Sequence, residues 1–146
     1  MKQQTAVFWH KHDDFKYQKW LSSEFLYGRL RQGWGPPGSS LLENGLRVPL
    51  EKWRTRYIEG IRKHWKKISD EEFNDYRAKC DRRFKILSTM TQLRPGDLIV
   101  VPLMPDENQD SIVQLEHGYQ FHVVNGEKDF GHILPVDPKS ILSHPI

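Results

Sequence analysis

Cysteine is almost absent from this chain: Cys80 stands alone among 146 residues, so no internal disulfide can form and no thiolate cluster can hold zinc. A reducing, cytoplasmic setting follows as the expectation. No run approaches the roughly 18 to 20 apolar residues that a membrane span needs. The N-terminal Met1-Lys-Gln-Gln leads toward a strand and not into the apolar core of a signal peptide. A phosphate-binding Gly-rich loop ending in Lys, a dinucleotide fingerprint and a Gly-x-Ser-x-Gly elbow are all missing. Seven histidines are present, yet none falls in a His-Glu-x-x-His or comparable ligand spacing. The sequence therefore predicts neither cofactor nor resident metal.

What the chain has is charge separated by sign. The net charge of +3 hides a middle section, residues 47–94, with fourteen Lys/Arg against seven Asp/Glu. Residues 95–146 carry two against eight, and residues 1–46 carry six against four. A basic middle and an acidic C-terminal part result. Clustered cations attract phosphate backbones, although charged helices also face water for no other reason.

The basic middle reads as helix. Pro49 suits a first helical turn, and Leu50, Trp53, Tyr57, Ile61, Trp65 and Ile68 follow at steps of three and four. Ser69-Asp-Glu-Glu72 is a capping-box pattern that opens a second helix, with Phe73, Tyr76, Cys80, Phe84 and Leu87 along its buried face. Arg54, Arg56, Arg62, Lys63, Lys66, Lys67, Arg82, Arg83 and Lys85 mostly fall off these stripes and form a basic exterior. Before this pair, Thr5 to His10 reads as a strand, Phe15 to Leu26 as a short amphipathic helix ended by Gly28, and Arg29 to Trp34 as a strand entering a Gly/Pro/Ser loop, Gly35 to Ser40.

The last third reads as β. Arg94-Pro-Gly-Asp97 is a turn that feeds Leu98-Ile-Val-Val101, Gly118-Tyr-Gln-Phe121 is an aromatic strand, and Asp129-Phe-Gly-His-Ile-Leu-Pro-Val136 closes the set. Turn, strand, hairpin and strand in this order suit a small, strongly curved β-barrel. The expected fold is thus α+β, one domain over 1–146, with a basic helical pair inserted at about 48–88.

This C-terminal run, together with Gly28-Arg-Leu-Arg-Gln-Gly-Trp-Gly35, resembles PUA-like domains of the EVE type. Such domains occur as N-terminal specificity modules of modification-dependent restriction systems related to McrBC and Mrr. The resemblance spans about Thr5 to Leu142, and the long helical insertion departs from it. It implies a DNA-binding module, not itself an enzyme, that recognises a modified base swung into an aromatic pocket. It further implies an effector nuclease or NTPase on another domain or subunit. The chain's end at Ser143-His-Pro-Ile146 without a catalytic half fits a fragment of a longer polypeptide.

A flipped base needs stacking faces and a polar edge reader. Candidate walls are Trp34, Trp9, Trp20, Tyr119 and Phe121; Trp34 leads because glycines flank it, although a packed core tryptophan would read the same way. Tyr119, Phe121 and Val123 share one side of their strand, and Gln120, His122 and Val124 the other. Candidate edge readers are Asp129, Gln32, Ser22 and Ser23, and Asp129 reads equally as a turn residue before Phe130. Arg29, Arg31, Arg62, Lys63, Lys66 and Lys67 are candidates for phosphate, with plain solvation as the competing account. Two other functions remain open: an RNA reader of the same fold, and a small metal-dependent nuclease using His10, His12, Asp106 or Asp137. The proline inside Asp137-Pro-Lys139 argues against the nuclease strand.

Overall fold

The computed structural model describes residues 5–7 and 15–146. Trp9, His10 and His12 lie outside the described residues. The chain divides into two compact units, Met1–Arg31 with Leu93–Gln120 and Ile133–Ile146, and Gln32–Gln92 with Phe121–His132. The helices between residues 50 and 88 therefore belong to the second unit, which also takes in the Gly/Pro loop and the segment from Phe121 to His132.

The first unit is built on a four-stranded sheet. Its strands are β1 (Thr5–Val7), β5 (Leu98–Val101), β6 (Gln109–Gln114) and β9 (Leu142–Pro145), in the order β1-β5-β6-β9. β1 runs parallel to β5 with Thr5 opposite Leu98, whereas β6 is antiparallel to both neighbours, with Ile99 opposite Val113 and Ile112 opposite Leu142. The Arg94–Asp97 turn launches β5 as its sequence requires. Gly96 sits at φ 96, a conformation that costs side-chain-bearing residues, and the Asp97 carboxylate accepts the Arg94 N–H at 2.8 Å. β5 then alternates between half-buried and buried residues, with Ile99 and Val101 in the core. Helix α1 (Phe15–Leu26) buries Leu21 and Phe25 and ends at Gly28, as its spacing predicts.

Beyond β6 the chain leaves its sheet. Leu115 forms an isolated antiparallel bridge with Val136, and the N–H groups of Glu116 and His117 both donate to the Pro135 carbonyl. Pro135 ends β8 (His132–Pro135), the middle strand of a three-stranded sheet in the order β2 (Arg29–Gln32), β8, β7 (Gln120–Phe121). Among the described residues no sheet closes on itself, so the architecture is a small α+β fold with open sheets.

In the second unit a two-residue hairpin joins β3 (Leu42–Glu43) to β4 (Leu46–Arg47). Asn44 and Gly45 turn it at φ 52 and 79, the paired positive values that Asn-Gly favours. Helix α2 (Leu50–His64) follows and buries Trp53, Tyr57 and Ile61 completely. The capping box forms, with the Glu72 N–H donating to Ser69 Oγ at 3.1 Å, and starts α3 (Asp70–Ala78). The expected second helix is interrupted at Lys79 and resumes as α4 (Cys80–Ser88). No glycine or proline marks this break; the two segments differ in burial, since α3 buries no residue fully while α4 sinks Cys80 and Leu87. Trp53 stacks on Tyr57 at 4.7 Å and packs against Phe84 at 5.5 Å, which makes this unit's core largely aromatic.

Candidate nucleic-acid interface

Trp34 is, with Phe130, one of two aromatic residues of the second unit held at positive φ among the described residues. Its φ of 59 lies in the left-handed region, an outlier for a bulky aromatic that costs about 1–3 kcal/mol and persists only where surroundings enforce it. Three bonds do so. The Asp129 carboxylate, through Oδ1, accepts the Gly35 N–H at 2.8 Å and the Phe130 N–H at 2.6 Å. His132 donates from Nε2 to the Trp34 carbonyl at 3.0 Å, and the Gly131 N–H donates to Gly35 O at 3.1 Å. Gly35 cannot be anything else: a Cβ there would stand 2.8 Å from the Gly131 nitrogen and 2.9 Å from His132 Cδ2.

The ring of Trp34 stays half-buried and carries the Arg83 guanidinium 4.8 Å from its centroid. The same guanidinium lies 5.0 Å from the Tyr76 ring and donates from Nη1 to the Tyr57 hydroxyl at 2.9 Å. Among the described residues no carboxylate pairs with Arg83. Its charge rests on two π faces and one hydroxyl, leaving further N–H donors open.

Burial sets the protonation of this cluster. Desolvation pushes Asp129 up to about 6, against the pull of its two backbone donors and of Arg83. The residue as a whole keeps partial exposure. Its second oxygen, Oδ2, makes no hydrogen bond among the described residues. Complete burial drives His132 down to about 4, only partly offset by the Trp34 carbonyl. At neutral pH the imidazole is uncharged and Asp129 is mostly ionised. Tyr57 is pushed up to about 12, chiefly by burial, so its hydroxyl keeps its proton.

A cationic surface continues this unit. Arg62, Lys63, Lys66 and Lys67 are all exposed, and none has a carboxylate within ion-pair distance among the described residues. Lys128 is a fifth exposed cation of the same unit, its backbone carbonyl accepting the Trp65 indole N–H at 2.7 Å. His64 reports the local potential: burial, then Lys63, Lys128 and Lys66, hold its pKa below the ordinary value.

The remaining candidates distribute unevenly. Gln32 is half-buried, and Phe121 meets His132 edge-on at 5.2 Å, so Phe121 supports the Trp34 clamp from behind. Trp20, Ser22, Tyr119, Arg29 and Arg31 belong to the first unit. Tyr119 is core, and Ser22 spends its hydroxyl on the Met104 sulfur at 3.4 Å. Arg31 corrects the expectation of a phosphate contact. It is 2% exposed, bonds Glu24 at 2.7 Å and lies over the Trp20 ring at 5.3 Å. Arg29 is exposed but bonds the same carboxylate at 2.9 Å. Burial works against the Glu24 charge, and Arg29 and then Arg31 outweigh it, holding the acid below its usual range. Strand alternation suggested two outward arginines; a glutamate from α1 instead draws one of them inside.

Asp106 and Asp137 each close a local turn, accepting the N–H of Asn108 and of Lys139. Among the described residues no three His, Cys, Asp or Glu side chains gather as metal ligands, and no helix is long and apolar enough to cross a membrane. Arg83 is the functional candidate that sequence reasoning assigned to the exterior. Its partners lie on other elements, Tyr76 on α3 and Trp34 after β2, so periodicity along α4 alone does not reveal it. No protein-family model, curated protein or solved structure matches the chain.

Proposed function

We propose that this chain is a DNA-binding module that recognises a modified base, extruded from the duplex, as the specificity part of a cytoplasmic restriction or defence system. The effector nuclease or NTPase resides on another domain or subunit, and the chain catalyses nothing itself. The observation that carries this reading is Trp34, held at φ 59 by Asp129 and His132 while Asp129 Oδ2 stays open. A fold that maintains such strain needs a return. A rigid, glycine-flanked indole beside a carboxylate oxygen with no protein donor among the described residues supplies one.

Extruding a base costs a few kcal/mol, and stacking on one aromatic returns about 1–3 kcal/mol. Asp129 Oδ2 accepts from an exocyclic amine, which favours adenine or cytosine over thymine. Arg83 supplies the complementary donors at the same ring. The unpaired Arg62, Lys63, Lys66 and Lys67 hold the backbone. The scaffold in this reading is a strongly curved PUA-like sheet of the EVE type, and the passage of the chain from β6 onto β8 through the Leu115–Val136 bridge is the bend such a scaffold needs.

The test is a binding panel of identical duplexes bearing methyladenine, methylcytosine, hydroxymethylcytosine or no mark. The expected outcome is tighter binding to one marked duplex, lost in folded Trp34→Ala. Equal binding to all four duplexes sinks the reading. A preference for single-stranded RNA of the same sequence would replace it with an RNA reader, and magnesium-dependent plasmid cleavage abolished by Asp106→Ala with a nuclease.

A further inference from the structure

We propose that a cleft at the junction of α2 and α3 is a second ligand site that binds one unpaired nucleotide, its phosphate on Arg62 and Lys66 and its base against Trp65. The cleft is an open groove of about 300 Å³ and lies wholly within the second unit. Its lining sorts by chemistry: Arg62 and Lys66 are cationic, Trp65, Phe73 and Ile68 are apolar, and Asp70 supplies a carboxylate. That volume sits at the small end of ligand clefts. It suits a flat ring with one charged substituent.

The lining is organised in advance. Trp65 is half-exposed but fixed, its indole N–H bonded to the Lys128 carbonyl at 2.7 Å and its ring edge-on to Tyr76 at 5.3 Å. Arg62 is exposed and its guanidinium lies over the Phe73 ring at 4.9 Å, which presets its direction and leaves its donors open. Neither Arg62 nor Lys66 has an acidic partner among the described residues, and Lys63, Lys67 and Lys128 add to the local field. Unpaired cations beside a rigid aromatic are the elements with which proteins hold single-stranded nucleotides without reading sequence. Asp70, the one carboxylate of the lining, repels a phosphate, so the anion is directed to Arg62 and Lys66, and the carboxylate can accept from a base amine.

This site shares Arg62 and Lys66 with the backbone contacts of the reading at Trp34 but goes beyond it, because it requires neither a modification nor extrusion. Calorimetric titration of the purified chain with deoxyadenosine 5′-monophosphate tests it, with deoxyadenosine and inorganic phosphate as half-ligands. We expect saturable binding of the monophosphate at least about tenfold tighter than either half-ligand. Arg62→Ala combined with Lys66→Ala changes only exposed side chains and should weaken it about tenfold or more, whereas Trp34→Ala should leave it unchanged. A 5′-phosphorylated trinucleotide separates two sources of the same chemistry: tighter binding than the monophosphate indicates a strand, and equal or weaker binding a free nucleotide. The proposal is overturned if neither probe saturates, if the double variant binds as the parent does, or if Trp34→Ala abolishes binding.

Discussion

Replacing Asp129 by asparagine should raise stability and lower recognition together. The folded carboxyl titrates near 6 against an ordinary 3.8, a difference of roughly two pKa steps. At about 1.4 kcal/mol per step, holding the charge inside costs at most about 3 kcal/mol at neutral pH. Partial exposure of the residue puts the expected gain at about 1–3 kcal/mol. Asparagine keeps an acceptor for the Gly35 and Phe130 N–H groups and carries no charge to desolvate. In place of Oδ2 it presents an amide donor, which meets a base amine donor to donor and costs about 1–3 kcal/mol of binding. Urea unfolding at pH 7.5 measures the first effect, and fluorescence anisotropy with the preferred marked duplex measures the second. A less stable variant would show that the carboxylate is not desolvated. Unchanged affinity would show that Oδ2 faces no base.

Trp34→Gly should be more stable than Trp34→Ala by about 1 kcal/mol, because alanine keeps the left-handed penalty that glycine escapes; equal denaturation midpoints would remove the strain argument. Reversing Arg62, Lys63, Lys66 and Lys67 to glutamate should flatten the slope of log affinity against log salt by about 3 to 4 if each meets one phosphate. An identical slope would return them to a role in solvation. Glu24→Gln takes the carboxylate charge away from the buried Arg31 guanidinium and should cost about 3 kcal/mol in chemical denaturation. Because Glu24 titrates below its usual range when folded, its contribution stands at neutral pH and is lost as pH falls through that lowered value. Unchanged stability in the variant would mean that the Glu24 charge does not hold Arg31 in place.

Local signals in the sequence translated directly. Pro95-Gly96-Asp97 makes the turn it spells, Ser69 and Glu72 form their capping box, and the stripe Trp53, Tyr57, Ile61 is buried. The Asn44-Gly45 hairpin was equally legible and lay unread between two longer elements. What stayed hidden depends on distant partners. The charge of Arg31 is compensated from α1, and Arg83 is held by Trp34 and Tyr76, which no periodicity along a single element can show. The interruption at Lys79 has no local cause. It separates a lightly buried segment from one that anchors Cys80 and Leu87. At the site, glycines drew attention to Trp34, but its clamp joins residues 94 and 98 positions apart in the chain.

That clamp carries two titrations of opposite sign, and their opposition can be measured. His132 is neutral in the fold, its pKa lowered from 6.5 to about 4, so its contribution stands above pH 6.5 and is lost as pH falls toward 4. Asp129 is raised, so its charge penalises the fold fully above pH 6 and the penalty lifts as pH falls from about 6 to 4. Over the shared window the two slopes oppose, and this pair should leave stability nearly level. Asp129→Asn should uncover a loss of stability on acidification from pH 6.5 to 4, and His132→Gln a gain from pH 6 to 4. Thermal melts across that range decide it: if both variants keep the parent's slope, neither group titrates as its burial requires. Trp34 would then be held by hydrogen bonds whose strength does not depend on either charge, and the stability gain predicted for Asp129→Asn would vanish with the slope.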